Sequence, residues 1–390
     1  MEQFGNVTQM NDLPKRSIVI YLNNAATSWP KAPGLGQILA DAFEQLPLHP
    51  GRVGHVVRDQ AWECRNLIAD MLSVSQPEQI VLRENSTHAL NLALLGFPFR
   101  RGDVILTTAQ EHNAVLRPLY RLSRLRRAHI RFIPTDREGR VDMEKYRQAL
   151  QGDSPRMVVV NHASNVTGAV QPVKELFGLA KEHGATTLLD ASQSLGLEDV
   201  HAQDLQADMV AFTGHKYLLG PVGTGGLYVR PEIELEPVLM GGTGVRSDLR
   251  EMPSEMPLRL EPGTPNLPAF VGLAHAIRWH KENPIEQRRL YRLSARLEQG
   301  LGEAGANVVT VSGRRTPVVS FTLPGWDVEE IGYVLQKEFG ILCRCGLHCA
   351  PLIHAYLGTA PKGTVRFSLS RFTTDEEVEQ AINAVRRLVL

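Results

Sequence analysis

Between residues 80 and 229, short apolar runs alternate with longer amphipathic ones, and this rhythm leaves the chain few folds to choose from. Residues 80–82, 104–107, 130–133, 157–160, 186–189, 209–212 and 226–229 read as buried strands. They are too continuously apolar for half-exposed strands, which alternate polar and apolar residues. Helical patterns lie between several of them, at 87–95, 113–127 and 173–183. The alternation predicts an α/β fold, a mostly parallel sheet covered by helices. Sheets of that kind bind ligands beyond the carboxyl ends of their strands. Polar residues just after each strand are therefore the first candidates for a site.

The chain has 390 residues, more than one compact core usually holds. A Pro- and Gly-rich stretch at 241–268 is followed by a helical pattern from 270 to roughly 300. Strands at 318–322 and 363–368 then mix with helices at 328–339 and 375–388. This predicts a large α/β domain over 17–260 and a smaller α+β domain over 261–390, with residues 1–16 packing on the latter. Lys and Arg number 42, as do Asp and Glu, so no overall basic field calls for nucleic acid. No apolar run reaches the ~20 residues of a membrane span. Residues 1–16 lack the apolar core of a signal peptide, which makes the cytoplasm the expected location. Three of the four cysteines, Cys343, Cys345 and Cys349, are clustered, and Cys64 stands apart. Metal binding, thiol chemistry and coincidence are all open for the cluster.

The strand ends carry the candidates. Lys216 follows the run 209–212. Partial desolvation there lowers a lysine's pKa and makes it a nucleophile toward an aldehyde, unless the side chain simply turns out to solvent. Asp190 follows 186–189 and suits either a protonated ring nitrogen or a helix cap. Ser86 and Thr87 open the helix after 80–82, where hydroxyls and free N–H groups serve a phosphate or merely cap the helix. His112 follows 104–107 and suits a flat ring or a structural role, and 161–168 is another polar exit.

The segments ENSTHALNLAL, QEHNAVLRP, NHASNVTGAVQPV, LLDASQSLG, FTGHKYLLGPVGTGGLYV, EPGTPNLPA, RCGLHCAPL and GTVRFSLSRFTTDEEV occur in that order, after YLNNAATSWPK near Tyr21. Together they resemble the class V aminotransferase and cysteine desulfurase family of fold-type I pyridoxal-phosphate (PLP) enzymes. The resemblance implies that Lys216 carries PLP as an imine and that Asp190 partners the pyridine nitrogen. It implies Gln193 and Asn165 near the ring hydroxyl, with Asn165 also near the substrate. His112 would stack on the ring as a catalytic imidazole. Ser86, Thr87, Thr213 and His215 would hold the phosphate, and Thr264 would reach the phosphate of a partner subunit in a homodimer. Arg366 would clamp the substrate carboxylate.

Arg344-Cys345-Gly346-Leu347-His348-Cys349-Ala350-Pro351 is similar to the RxGxHCA segment of Suf-type (group II) cysteine desulfurases. That likeness implies that Cys349 takes the sulfur of L-cysteine as a persulfide, leaving L-alanine, with Arg344 as a second substrate contact. Arg344 and His348 would raise the thiolate fraction of Cys349. Leu347 stands where the Suf-type pattern usually has His, and Cys345 where it has a small hydroxyl residue. The tail looks closer to a less characterised branch of the family, which leaves substrate and sulfur acceptor open. Transamination, epimerisation and selenocysteine lysis are the rival reactions on this fold. A metal or Fe–S site at Cys343, Cys345, His348 and Cys349 is the rival of a different class. If 341–345 is one strand, however, Cys343 and Cys345 share a face and Arg344 takes the other. No segment stands out as a docking surface for the acceptor.

Overall fold

In the computed structural model, the structure describes residues 19–45 and 54–389. The expectation for residues 1–16 lies outside them. The strands in chain order are β1 (Ile20–Tyr21), β2 (Ile80–Arg83), β3 (Val104–Thr108), β4 (His129–Ile133), β5 (Met157–Asn161), β6 (Thr186–Asp190), β7 (Met209–Thr213), β8 (Gly225–Val229), β9 (Asn307–Val308), β10 (Val318–Thr322), β11 (Ile341–Leu342), β12 (Arg344–Gly346) and β13 (Thr364–Ser368). The α-helices are α1 (Leu35–Gln45), α2 (Gly54–Leu72), α3 (Ser86–Gly96), α4 (Asn113–Arg126), α5 (Met143–Asp153), α6 (Val173–Glu182), α7 (Leu267–Glu282), α8 (Gln287–Glu303), α9 (Val328–Phe339), α10 (Ile353–Leu357) and α11 (Asp375–Val389).

A seven-stranded sheet has the order β2-β8-β7-β6-β5-β3-β4. Only β8 runs against its neighbours; the other pairings are parallel. The alternation of side chains along each strand feeds two cores. Met157 and Val159 of β5 join Leu188, Met209 and Ala211 under α3 and α4. Val158 and Val160 join Leu189, Val210 and Phe212 under α2, α5, α6 and α7. Because both faces are covered, most of the strands are apolar, and the sheet's carboxyl edge is where polar chemistry can sit; the edge strand β4 departs from the buried run expected at 130–133, with His129 and Arg131 exposed. Gly225 brings that edge and α3 together. A Cβ there would lie 2.6 Å from the Phe212 carbonyl and 2.8 Å from the Asn85 Cα, so a side chain would push the start of α3 off the sheet.

A smaller antiparallel sheet, β12-β13-β10-β9, forms a third core with α8, α9 and α11. Ile20 and Leu22, from the start of the described chain, pack in that core, and β1 pairs with β11 in parallel. Two expectations need correction. The helical pattern from 270 to about 300 is two helices, α7 and α8. Pro284 lacks an N–H and ends the first, and Asn283 caps it by donating to the Trp279 carbonyl at 2.8 Å. The first of these, α7, packs Phe270, Leu273 and Ile277 onto the large sheet, not the small one. The stretch 341–345 is likewise two short strands: β11 pairs with β1, and β12 with β13. Among the described residues no helix is long and apolar enough to cross a membrane.

Candidate active site

The carboxyl edge of the large sheet opens into a cavity of about 220 Å³ lined by Ser86, Thr87, His112, Asn165, Asp190, Gln193, His215 and Lys216. Residues following β2, β3, β5, β6 and β7 thus meet at one place. Burial lowers the Lys216 pKa to about 8; Asp190 pulls it back up, while Arg366 and Arg344 press it down. A sizeable share of its amine is therefore unprotonated near neutral pH. Burial raises the Asp190 carboxyl, and its Oδ1 accepts from the Ser192 N–H at 3.0 Å and from the Ser192 hydroxyl. Turns follow Asp190, not a helix, so that oxygen serves a local turn.

His112 caps α4, its Nδ1 accepting from the Ala114 N–H at 3.0 Å. Burial lowers its pKa to about 3, reinforced by the charges of Lys216, Arg344 and Arg366. The ring is neutral at physiological pH, with its proton on Nε2. His215 is also held neutral, its pKa pushed down to about 4 by burial, and its Nδ1 lies 3.1 Å from the Thr27 hydroxyl. At the start of α3, Asn85 takes up only the His88 N–H, leaving the earlier N–H groups beside the Ser86 and Thr87 hydroxyls. The buried Asn161 Oδ1, Asn165 Oδ1 and Gln193 Oε1 have no partner among the described residues. All three residues line the cavity. A buried acceptor without a donor costs about 1–3 kcal/mol, so three converging on one cavity point to a ligand with donors.

The small sheet supplies the other half. Arg344 on β12 stands directly opposite Arg366 on β13, which puts both guanidinium groups on one face. Arg366 is fully buried and donates to the Asn165 carbonyl at 2.8 Å and to Asn23 Oδ1 at 3.2 Å, with its Nε unpartnered among the described residues. No carboxylate pairs with it among those residues. Burial, aided by Arg344, lowers its pKa to about 10. Arg344 donates to the Cys349 sulfur at 3.3 Å. His348 and Cys349 both take the left-handed backbone conformation, with φ of 50° and 58°. Two bonds from residues at the carboxyl edge of the large sheet hold the turn: Asn165 Nδ2 donates to the His348 carbonyl at 2.7 Å, and the Asn113 N–H to the Cys349 carbonyl at 2.6 Å.

Two expectations change. His348 does not serve the thiol: its Nε2 lies 3.0 Å from the Thr364 carbonyl, and burial holds the ring neutral. Thr213 turns its hydroxyl to the Thr224 carbonyl at 3.3 Å and does not line the cavity. Thr264, expected at the phosphate of a partner subunit, is exposed in the single chain. Cys343 and Cys345 pack against the third core, away from Arg344's face. Among the described residues no three His, Cys, Asp or Glu side chains gather as metal ligands.

Three further residues had no expected role of their own. Asn161 is legible as the polar last residue of an apolar strand. Lys31 is not: its Nζ donates to the His215 carbonyl at 2.7 Å and to the Thr27 and Ser28 hydroxyls, both at 3.1 Å, and burial lowers its pKa to about 8. Glu111, whose burial raises its pKa to about 8, accepts from the Asn161 N–H at 3.0 Å and holds the end of β5.

A family model described as "Aminotransferase class-V" matches residues 20–381. A "Probable cysteine desulfurase" of Pyrococcus abyssi is 33% identical, with 97% of this chain and 96% of that protein covered. One of Methanothermobacter thermautotrophicus is 32% identical, covering 94% of each. Among solved structures, the apo cysteine desulfurase from Thermococcus onnurineus NA1 superposes with a TM-score of 0.87 at 33% identity, covering 95% of this chain and 94% of that one. The cysteine desulfurase CsdA (S-sulfonic acid) from Escherichia coli gives 0.84 at 25% identity over the same shares.

Proposed function

This chain belongs to the aminotransferase class-V family, and from that premise we propose that it is a PLP-dependent cysteine desulfurase that moves sulfur from L-cysteine to Cys349. The residues of the cavity suit PLP. Lys216 offers an amine that is partly free near neutral pH, Asp190 a carboxylate, and Asn165 and Gln193 unpartnered acceptors. The start of α3 offers N–H groups and hydroxyls for an anion. When bound, PLP supplies an aldehyde for amines and an aromatic ring that draws electron density from the substrate's α-carbon.

The protein's own groups divide the work. Lys216 would hold the cofactor through its amine, and that amine would be the base for the substrate's α-proton. Asp190 would be the carboxylate partner of a protonated ring nitrogen. Neutral His112 presents a flat face and an Nε2–H. Arg366, buried without an acidic partner, receives the substrate carboxylate, with Arg344 beside it. The Cys349 thiolate attacks the substrate sulfur: an S–S bond forms, the substrate's Cβ–S bond breaks, and its electron pair stays with the three-carbon fragment. That fragment takes up protons and leaves as alanine. The contact that carries this reading is the 3.3 Å hydrogen bond between Arg344 and Cys349, because it sets a thiol beside the carboxylate receptor.

Two further assignments complete the proposal. The enzyme works as a homodimer in which Thr264, exposed in the single chain, meets the phosphate bound by the other copy. It works in the cytoplasm, where its four free cysteines stay reduced. The test is to incubate the purified yellow protein with L-cysteine or L-selenocysteine and follow alanine, sulfide or selenide, and protein-bound sulfur together. Alanine and a Cys349 persulfide should appear in parallel with L-cysteine. Turnover of selenocysteine alone, or transamination with no alanine from cysteine, refutes the assignment.

A further inference from the structure

Beside Cys349 lies a groove of about 650 Å³ that shares Thr87 and His112 with the cavity and runs out along α4. Arg117, Arg121 and Arg124 line it. They recur at helical spacing, so their side chains form one stripe. All three are exposed, and none is paired with a carboxylate among the described residues. Leu95 and the exposed Tyr120 add apolar surface to the same groove. The even overall balance of charge conceals this patch: acids and bases number 42 each along the chain, yet α4 itself carries no acid.

We propose that this groove docks the sulfur acceptor, and that the acceptor is a protein presenting a cysteine on an acidic, partly apolar segment. The inference rests on the reading of Cys349 as the persulfide carrier. A thiolate entering along the stripe attacks the outer sulfur of the Cys349 persulfide. A new S–S bond forms on the acceptor, the old one breaks, and Cys349 leaves as thiolate, so no external oxidant or reductant is consumed. A nucleic acid would satisfy the arginines but brings no thiolate, and the apolar wall suits side chains. Unpaired arginines at the mouth would steer an acidic partner and align its thiol.

The test uses the holoenzyme, L-cysteine and three acceptors at low salt: dithiothreitol, a synthetic peptide with one cysteine among glutamates and a leucine, and the same peptide with lysines for glutamates. Alanine formation and sulfur on the peptide are followed as peptide concentration rises. The acidic peptide should half-saturate at a concentration at least tenfold below the lysine peptide, and 0.5 M salt should erase the gap. Arg121→Glu with Arg124→Glu should raise that concentration at least tenfold, leave the dithiothreitol-supported rate within twofold, and reverse the preference. Arg121→Gln with Arg124→Gln should fall between. Equal use of both peptides overturns the proposal, as does an RNA oligonucleotide that binds the groove while the acidic peptide has no effect. Conversion of dimer to monomer by the double charge reversal would make the face an interface between copies and overturn it too. Failure to form alanine even with dithiothreitol, in contrast, refutes the desulfurase reading itself.

Discussion

The two sides of the active site are built in opposite ways. On the large sheet, Asp190 ends a strand, Lys216 follows one closely, and His112 caps a helix. Their positions follow from regular structure that is buried on both faces. On the small sheet, Arg344 and Arg366 are fixed by strand register, but Cys349 sits on a left-handed turn held by two hydrogen bonds from Asn165 and Asn113 beyond the large sheet. A general cofactor function needs rigidity, and the large sheet supplies it. On the proposed reading the thiol must reach substrate and then an acceptor, and a turn that local bonds hold suits that task. The comparison teaches that cofactor binding and sulfur chemistry should be separable by mutation.

The largest effect should come from the rigid side. Lys216→Ala should lose the borohydride-reducible bond to PLP and nearly all turnover; covalent trapping at another lysine would break the assignment. Cys349→Ala should abolish persulfide and alanine formation, at least ~1000-fold, yet keep the cofactor's absorption and its change on adding L-cysteine. If it also loses the cofactor, the two halves are not separable. Asp190→Ala should slow turnover about 100-fold by leaving the ring a poorer electron sink, with the fold unchanged by circular dichroism. A loss under threefold would remove Asp190 from the ring nitrogen.

A smaller effect is set by pH. An ordinary lysine becomes free amine only near pH 10.5, whereas burial brings Lys216 to about 8. Capture of PLP by apoprotein should therefore quicken about tenfold per pH unit up to about 8 and then level off. A rate still climbing at pH 10 would mean that Lys216 is solvated. The smallest effects belong to Cys343→Ser and Cys345→Ser. These side chains pack against the third core, away from the site, and each variant should keep turnover within tenfold in the same assay.

Much of this was legible in the residue order, and the exceptions have physical reasons. Six of the seven strands of the large sheet stand out because burial on both faces demands apolar runs, the edge strand β4 being half exposed, and the residues after five of the strands line the cavity. The break at Pro284 was visible, but helical periodicity on both sides masked it. His348 misled because chain adjacency to Cys349 suggests contact, whereas two left-handed residues in succession turn its ring toward Thr364. Lys31 and Asn23 could not be found, since their partners His215 and Arg366 lie far along the chain and only the tertiary fold joins them.

The register that sets Arg344 opposite Arg366 brings two like charges together. Two guanidinium groups share one strand face, one of them fully buried, and no acid offsets them there among the described residues. Like charges placed directly across strands repel. In the proposed reaction the substrate's carboxylate is thus also a counter-ion for the small sheet, so that substrate binding would consolidate this part of the fold and simple anions would compete for the same role.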